Sequence, residues 1–250
     1  MNLLLDIGNH WLKWATVDAS GLFPGGRLRH EETADELLAG IWPMSIPPQR
    51  IIVSNVAGNA MAEKLREQAG GRWGIDVEFV VAQTQAHGVR CAYDKPERLG
   101  PDRWAALVGA RQRYPGRVCV VDLGTAITVD VMDEDGRHVG GLIAPGIGLM
   151  RRALLSETRD IAGHSENPMP LSAAGWLAQD TCAAVDQGAM ECALGLCDRV
   201  MSQLHRLWPD GAFSMVLTGG DSANVVGHLT GNVIHDPDLV LHGLAFMGRE

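Results

Sequence analysis

The sequence has few aromatic residues, no paired-cysteine motif and no long apolar run. Aromatic residues make up 5% of the 250 positions, and the 46% hydrophobic fraction is typical of an α/β protein with an ample core. The five cysteines, Cys91, Cys119, Cys182, Cys192 and Cys197, are odd in number and include no Cys-x-x-Cys. Because Cys119 lies in an apolar run and Cys192 and Cys197 lie in an Ala- and Leu-rich stretch, we expect buried free thiols.

Basic clusters and membrane signals are also missing. There are 21 Lys and Arg against 30 Asp and Glu, a formal charge of −9, and no run of Lys or Arg. This balance argues against nucleic acid as a main partner. No apolar stretch approaches the ~20 residues that span a bilayer, and no basic leader precedes the first strand-like run. We therefore expect a cytoplasmic protein that has no nucleic-acid or membrane partner.

The sequence does contain a duplicated motif. Residues 3–9 and 118–125 are each an apolar run that ends in Asp-x-Gly and a small polar residue, and each is followed by a second strand-like run and a polar turn. The motif predicts two β-hairpins whose tight turns hold Asp6 with Gly8 and Asp122 with Gly124. A glycine lets backbone N–H groups approach a phosphate, and a carboxylate can hold the cation that neutralises it. The duplication predicts a nucleotide clamp and two similar lobes, residues 1–115 and 116–250.

The remaining patterns are typical of an α/β protein, and the sequence contains no low-complexity segment and no linker. The predicted strands are residues 50–54, 76–81, 139–143 and 213–217. The predicted helices are residues 31–41, 60–68 with Asn59 as the cap, 101–114, 147–156 and 181–207, and residues 158–171 are predicted to be a loop. Thr218-Gly219-Gly220-Asp221 follows the last strand and is predicted to be a third turn for phosphate or adenosine. No Gly-x-x-x-x-Gly-Lys-Ser/Thr is present, which excludes a P-loop enzyme.

Several longer motifs resemble one family over nearly the whole chain. They are Asp6-Ile7-Gly8-Asn9 with Lys13, Tyr93, Leu99-Gly100-Pro101-Asp102-Arg103-Trp104, Asp122-Leu123-Gly124-Thr125-Ala126-x-Thr128-x-Asp130, Gly140-Gly141-x-Ile143-x-Pro145-Gly146, Thr181 and Leu217-Thr218-Gly219-Gly220. With them the chain closely resembles type III pantothenate kinases of the ASKHA superfamily, which also contains acetate and sugar kinases and actin. The resemblance implies an α/β fold of duplicated ribonuclease H-like lobes, with mixed β-sheets flanked by helices.

The resemblance also implies an activity and a set of ligands. The activity is ATP-dependent phosphorylation of pantothenate to 4'-phosphopantothenate, the first step of coenzyme A biosynthesis, by a homodimer that uses Mg²⁺ and a monovalent cation (K⁺ or NH₄⁺). The catalytic base falls on Asp102, and the pantothenate contacts fall on Tyr93, Gly100, Pro101, Asp102, Arg103 and Thr181. The ATP contacts fall on Asp6, Ile7, Gly8, Asn9, His10, Lys13 and Thr125, and the metal positions fall on Asp122 and Asp6.

Each of these residues also has a plain structural interpretation. Asp102 is an acid in the first turn of a predicted helix, where the helix dipole favours one. Arg103 can form a surface ion pair and Tyr93 can be a packing residue. Asp122 and Asp130 can bind a cation or can simply hold their turn together.

The chain departs from the family pattern at two places. His10 stands where the family usually has Thr, and residues 157–170 differ from the expected Leu-Pro pattern. These departures bear on the affinity for ATP. Two other functions stay open: a kinase relative kept as an accessory or regulatory binding protein, for which His10 is the only sequence support, and an ASKHA kinase for another small hydroxyl substrate. The intact Asp6, Asp102, Arg103 and Thr125 favour catalysis over the first, and the stretch from Tyr93 to Arg103 argues against the second.

Overall fold

The computed structural model describes residues 1–29, 47–157 and 176–249. The helix predicted at 31–41, the loop predicted at 158–171 and most of the unusual segment at 157–170 lie outside the described residues. The chain forms two compact units. The first consists of Met1–Val118, Asp130–Gly140 and Asp238–Glu250, and the second of Cys119–Val129 and Gly141–Pro237. The division into lobes at 115/116 stays a prediction.

The first hairpin motif opens a five-stranded mixed sheet. Its strands are β1 (Asn2–Ile7), β2 (Trp11–Asp18), β3 (Gly21–Arg29), β4 (Ile51–Asn55) and β5 (Val77–Phe79), in the order β3-β2-β1-β4-β5. β1 runs antiparallel to β2 and parallel to β4. Alternate residues of β1, Leu3, Leu5 and Ile7, are fully buried against Leu65 of helix α1 (Asn59–Trp73), as the period of two in a strand requires.

The second hairpin motif opens a sheet with the same order. Its strands are β8 (Arg117–Leu123), β9 (Ala126–Met132), β10 (His138–Pro145), β11 (Phe213–Thr218) and β12 (Val233–His235), in the order β10-β9-β8-β11-β12. In both sheets the third, second, first, fourth and fifth strands along the chain lie side by side in that order. The predicted duplication and the predicted α/β fold class are therefore confirmed. A short ladder of β6 (Gln85–Ala86) and β7 (Val89–Arg90) lies between them in sequence.

The other helices are α2 (Pro101–Arg113), α3 (Ile147–Glu157), α4 (Thr181–Leu207), α5 (Ser222–Val226) and α6 (Leu239–Met247). Three of the predicted helices agree with α2, α3 and α4 within one residue. The predicted cap of α1 was wrong: Gly58 is the N-cap and Asn59 is the first helical residue. Nothing in the sequence analysis predicted α6, which packs closely against α2 because small residues meet there. A Cβ on Gly109 would lie 2.5 Å from the carbonyl oxygen of Leu239.

All five cysteines are free, as predicted, but they are not all buried. Cys119 and Cys197 are buried, whereas Cys192 is exposed because it lies on the outer side of α4. Burial raises the pKa of Cys197 to about 11, so this thiol stays protonated. Within the described ranges, no helix is both long enough and apolar enough to cross a membrane.

Candidate active site

The N-terminus of α2 presents Asp102 next to a buried arginine. Pro101 occupies the first turn, where its missing N–H costs nothing. Trp104, 1% exposed, anchors the turn in the core. The Asp102 side chain folds back so that its Oδ1 accepts a hydrogen bond from the backbone N–H of Arg103 at 2.8 Å. A Cβ on Gly100 would lie 2.5 Å from the same oxygen, so a residue without a side chain makes this conformation possible.

The environment of Asp102 favours the protonated carboxyl more than water does. Burial raises the pKa of Asp102 above its ordinary value of 3.8. The hydrogen bond from the backbone of Arg103 and the positive charge of its guanidinium oppose this shift without cancelling it, and the negative charge of Asp130 adds to it. A carboxylate with a raised pKa in a polar site is suited to accept a proton.

Arg103 and Asp130 form a buried, bidentate ion pair. Arg103 Nε donates to Asp130 Oδ2 and Arg103 Nη2 donates to Asp130 Oδ1, both at 2.7 Å. The side chains are 6% and 3% exposed. Burial alone would lower the pKa of Arg103, but the two hydrogen bonds to Asp130 raise it above its ordinary value, so the guanidinium stays charged. Asp130 is therefore committed to an ion pair, and the interpretation of Arg103 as a surface ion pair was wrong.

Tyr93 and His138 complete the cluster around this pair. Arg103 Nη1 donates to the hydroxyl of Tyr93 at 3.1 Å. The rings of Tyr93 and His138 are stacked, with centroids 6.0 Å apart and planes at 22°. His138 Nε2 lies 2.9 Å from Asp130 Oδ1. Tyr93 and Arg103 were predicted from the sequence, but His138 was not, because a single histidine two residues before Gly140-Gly141 carries no spacing signal.

The first hairpin turn holds the predicted nucleotide residues of β1 and β2. Asp6 and Lys13 are directly opposite each other in the ladder and are both half-buried. The backbone N–H of Gly8 donates to the carbonyl of Trp11 at 2.9 Å, which closes the turn. Asn9 and His10 at its tip are exposed. The backbone between Ile7 and His10 is thus presented at the end of the hairpin, where a phosphate can approach it.

The second hairpin turn is covered closely by two glycines of the second unit. The N–H of Gly146 donates to the carbonyl of Thr125 at 2.9 Å, and a Cβ on Gly146 would overlap the carbonyl oxygens of Gly124 and Thr125. Gly219 has a φ of +92°, and a Cβ there would overlap Asp122 Oδ1. Side chains at these two positions would clash with the turn, so only glycine allows the backbone to approach it this closely.

These oxygens are the kind of ligand that Mg²⁺ and K⁺ prefer. The Asp122 carboxylate and the carbonyls of Gly124 and Thr125 are all hard oxygen donors. No group of three His, Cys, Asp or Glu side chains that could hold a metal is found in the part of the chain that the structure describes.

The third predicted turn and Thr181 also lie in the second unit. The N–H of Asp221 donates to the carbonyl of Leu123 at 2.9 Å, which ties the turn after β11 to the second hairpin. Burial raises the pKa of Asp221 above its ordinary value, and the positive charge of Arg151 opposes the shift. Thr181 is exposed at the start of α4, where Asp180 caps the helix by accepting from the N–H of Ala183 at 2.9 Å.

Comparison with known proteins identifies the family. The family profile described as "Type III pantothenate kinase" matches residues 2–203. Curated relatives of that name include proteins from Nitrosococcus oceani, 39% identical over 100% of this chain and 94% of the relative, and from Halorhodospira halophila, 39% identical over 100% and 98%. A solved structure described as a 2-dehydro-3-deoxygalactonokinase from Sinorhizobium meliloti is 16% identical, with a TM-score of 0.62 over 100% of this chain and 96% of that one. The last similarity concerns the fold alone and agrees with the predicted sugar-kinase-like architecture.

Proposed function

The chain belongs to the type III pantothenate kinase family, and we propose that Asp102 is the base with which it phosphorylates pantothenate. As a member of this family, the chain is a phosphotransferase that uses ATP to convert pantothenate to 4'-phosphopantothenate, at the start of coenzyme A biosynthesis. One observation supports this role of Asp102: its carboxylate is half-buried, has a raised pKa and lies beside the Arg103–Asp130 pair.

Asp102 would act on the primary hydroxyl of the substrate. Its carboxylate takes the hydroxyl proton while the hydroxyl oxygen forms a bond to the γ-phosphorus of ATP. The bond from that phosphorus to the bridging oxygen breaks, and ADP leaves with the electron pair. Phosphoryl transfer needs mainly positioning and charge neutralisation from the protein. A raised pKa makes Asp102 a stronger base than an exposed aspartate, which suits it to this transfer.

Arg103 would bind the carboxylate of pantothenate. A guanidinium has five N–H donors, and three of them are used on Asp130 and Tyr93. One donor is left on each of Nη1 and Nη2, which is enough for a two-pronged bond to a carboxylate. Tyr93 and Gly100 border the same arginine and aspartate, which supports their assignment to the pantothenate site. Pro101 and Thr181 are assigned to this site by family resemblance.

ATP would bind at the two hairpin turns. In this proposal Asp6, Ile7, Gly8, Asn9, His10 and Lys13 serve the phosphates in the first unit, and Thr125 does so in the second. Asp6 would hold Mg²⁺ directly or through water, and Asp122 with nearby carbonyls would hold K⁺ or NH₄⁺. The cations supply positive charge to the phosphates; the protein supplies the oxygen ligands and backbone N–H groups that fix their positions.

The working molecule would be a homodimer. Large apolar side chains are exposed on β10 and α3 of the second unit, among them Ile143 at 66%, Leu142, Leu149 and Leu154. A cluster of this kind on one unit is more typical of an association surface than of a free surface.

We also propose a cytoplasmic location, which fits five free thiols and which cell fractionation would test.

Replacing the proposed base should remove activity and leave the fold intact. We expect Asp102→Asn to lower kcat by about 10²–10⁴-fold, because this is the usual contribution of a general base. Unfolding by denaturant and ATP binding should stay close to those of the original protein. Asp76→Asn, at an exposed position of the same unit, is the matched control and should keep full activity. An Asp102→Asn protein with more than about a third of the original turnover would exclude this role.

The first hairpin turn can be tested through its metal dependence. Asp6→Ala should need more Mg²⁺ to reach half-maximal activity, because a ligand or orienting group for the metal is lost. His10→Thr restores the family's compact hydroxyl donor, so we expect it to lower the KM for ATP without changing the Mg²⁺ dependence. Steady-state kinetics against Mg²⁺ and ATP measure both effects. Unchanged metal dependence in Asp6→Ala would mean that this turn is only structural.

The dimer can be tested at the apolar surface of β10. Light scattering should give a mass of about 54 kDa, twice the 26.9 kDa of the chain. Ile143→Glu should shift the protein to the monomer and reduce activity, because a charge cannot be buried there without a partner. Val81→Glu alters a valine of the first unit that is also more than half exposed, at 56%, and is the control. A monomer that is fully active before any substitution would contradict the proposal.

A further inference from the structure

We propose that His138 and Asp130 are positioning residues that make the site specific for a substrate with a carboxylate. This inference rests on the proposed function, because it concerns the group by which Arg103 would recognise pantothenate. Neither residue needs to touch the substrate. They fix the orientation of Arg103 and Tyr93, which do.

Asp130 determines where the free donors of Arg103 point. Two bonds of 2.7 Å hold the guanidinium in the plane of the Asp130 carboxylate. A third bond, from Nη1 to Tyr93, removes the remaining rotation. The two unused N–H groups therefore have fixed directions before any substrate binds. Such preorganisation lowers the entropy cost of recognising a planar, two-oxygen group.

His138 contacts both partners of Arg103. Its Nε2 lies 2.9 Å from Oδ1 of Asp130, the oxygen that also accepts from Arg103 Nη2. Its ring stacks on the ring of Tyr93. The four side chains come from β9, β10, α2 and the segment after β7, so the imidazole joins elements that are separate along the chain.

A purely space-filling role does not account for a histidine at this position. The His138 side chain is completely buried, and neither ring nitrogen has an aligned hydrogen bond among the described residues. A buried polar atom in this condition lowers the free energy of unfolding, and Phe would fill similar space without that cost. The cost is understandable if the polar contact of Nε2 with Asp130 is needed to hold the carboxylate under Arg103.

The experiment compares two substrates in four proteins, the original and three variants. Pantothenate and its alcohol analogue, in which CH₂OH replaces the carboxylate, carry the same reacting hydroxyl. His138→Phe keeps a ring against Tyr93 and removes both nitrogens, whereas His138→Gln keeps an amide N–H that can reach Asp130. His228→Phe, at an exposed position of the second unit, is the control.

We expect the original protein to prefer pantothenate and His138→Phe to lose this preference. Its kcat/KM for pantothenate should fall about 10–100-fold, mainly through KM, because a charge-assisted bond to the carboxylate is weakened. Its kcat/KM for the alcohol, its kcat at saturation and its KM for ATP should change little. His138→Gln should retain most of the preference, and His228→Phe should retain all of it.

Other outcomes separate the possible failures. If both substrates lose kcat/KM equally in His138→Phe, the role of His138 is only structural and the inference is wrong. If the preference persists in His138→Phe, the inference is also wrong, but the proposed function stands. If the original protein phosphorylates neither compound, the proposed function itself fails.

A measurement on the unsubstituted protein covers the case in which His138→Phe does not fold. The ring signals of labelled His138 in NMR spectra should shift when pantothenate is added, because charge is placed on the Arg103 that it positions. They should shift much less with the alcohol analogue at equal occupancy. Equal shifts with both compounds, or none with either, would overturn the inference.

Discussion

The buried ion pair between Arg103 and Asp130 is the interaction on which the rest of the candidate site depends. It holds the N-terminus of α2 against β9, orients the hydroxyl of Tyr93 and places a negative charge near Asp102. A buried ion pair is rarely the most stable choice, since apolar residues of similar size often do as well or better. In the function proposed above, the pair serves recognition, because a charged, immobile guanidinium with two remaining donors suits an acidic substrate.

Glycines make the second constraint, because a side chain at any of three of them would clash with atoms that approach closely. Gly100 lets the Asp102 carboxylate fold back, and Gly146 and Gly219 bring backbone against the turn that contains Asp122. In the hairpin motifs, Gly8 and Gly124 are predicted to let backbone N–H groups approach a phosphate. The structure adds a second reason, which is the close approach of the protein's own backbone and carboxylates at the same turns.

Local patterns predicted the elements well, and contacts distant in sequence could not be predicted from them. The hairpins, the start of α2 and the full extent of α4 follow from apolar runs, Pro101 and helical periodicity. Helix α6 was missed because seven of its nine residues are buried, which leaves no polar face to give it a period. The Arg103–Asp130 pair joins residues 27 positions apart, and His138 contacts it from another strand. Only the fold therefore shows that Asp130 pairs with Arg103 beside Asp102.

In the proposed reaction, the half-buried carboxylate of Asp102, whose pKa is raised, accepts the substrate's proton. The most direct test is to follow kcat/KM for pantothenate against pH while ¹³C NMR reports the titration of the Asp102 carboxyl carbon. Asp102 must be ionised to act, so activity should fall as pH decreases, with a midpoint that matches the titration of Asp102 and lies above its ordinary value of 3.8. A rate that is unaffected while Asp102 becomes protonated would contradict the account.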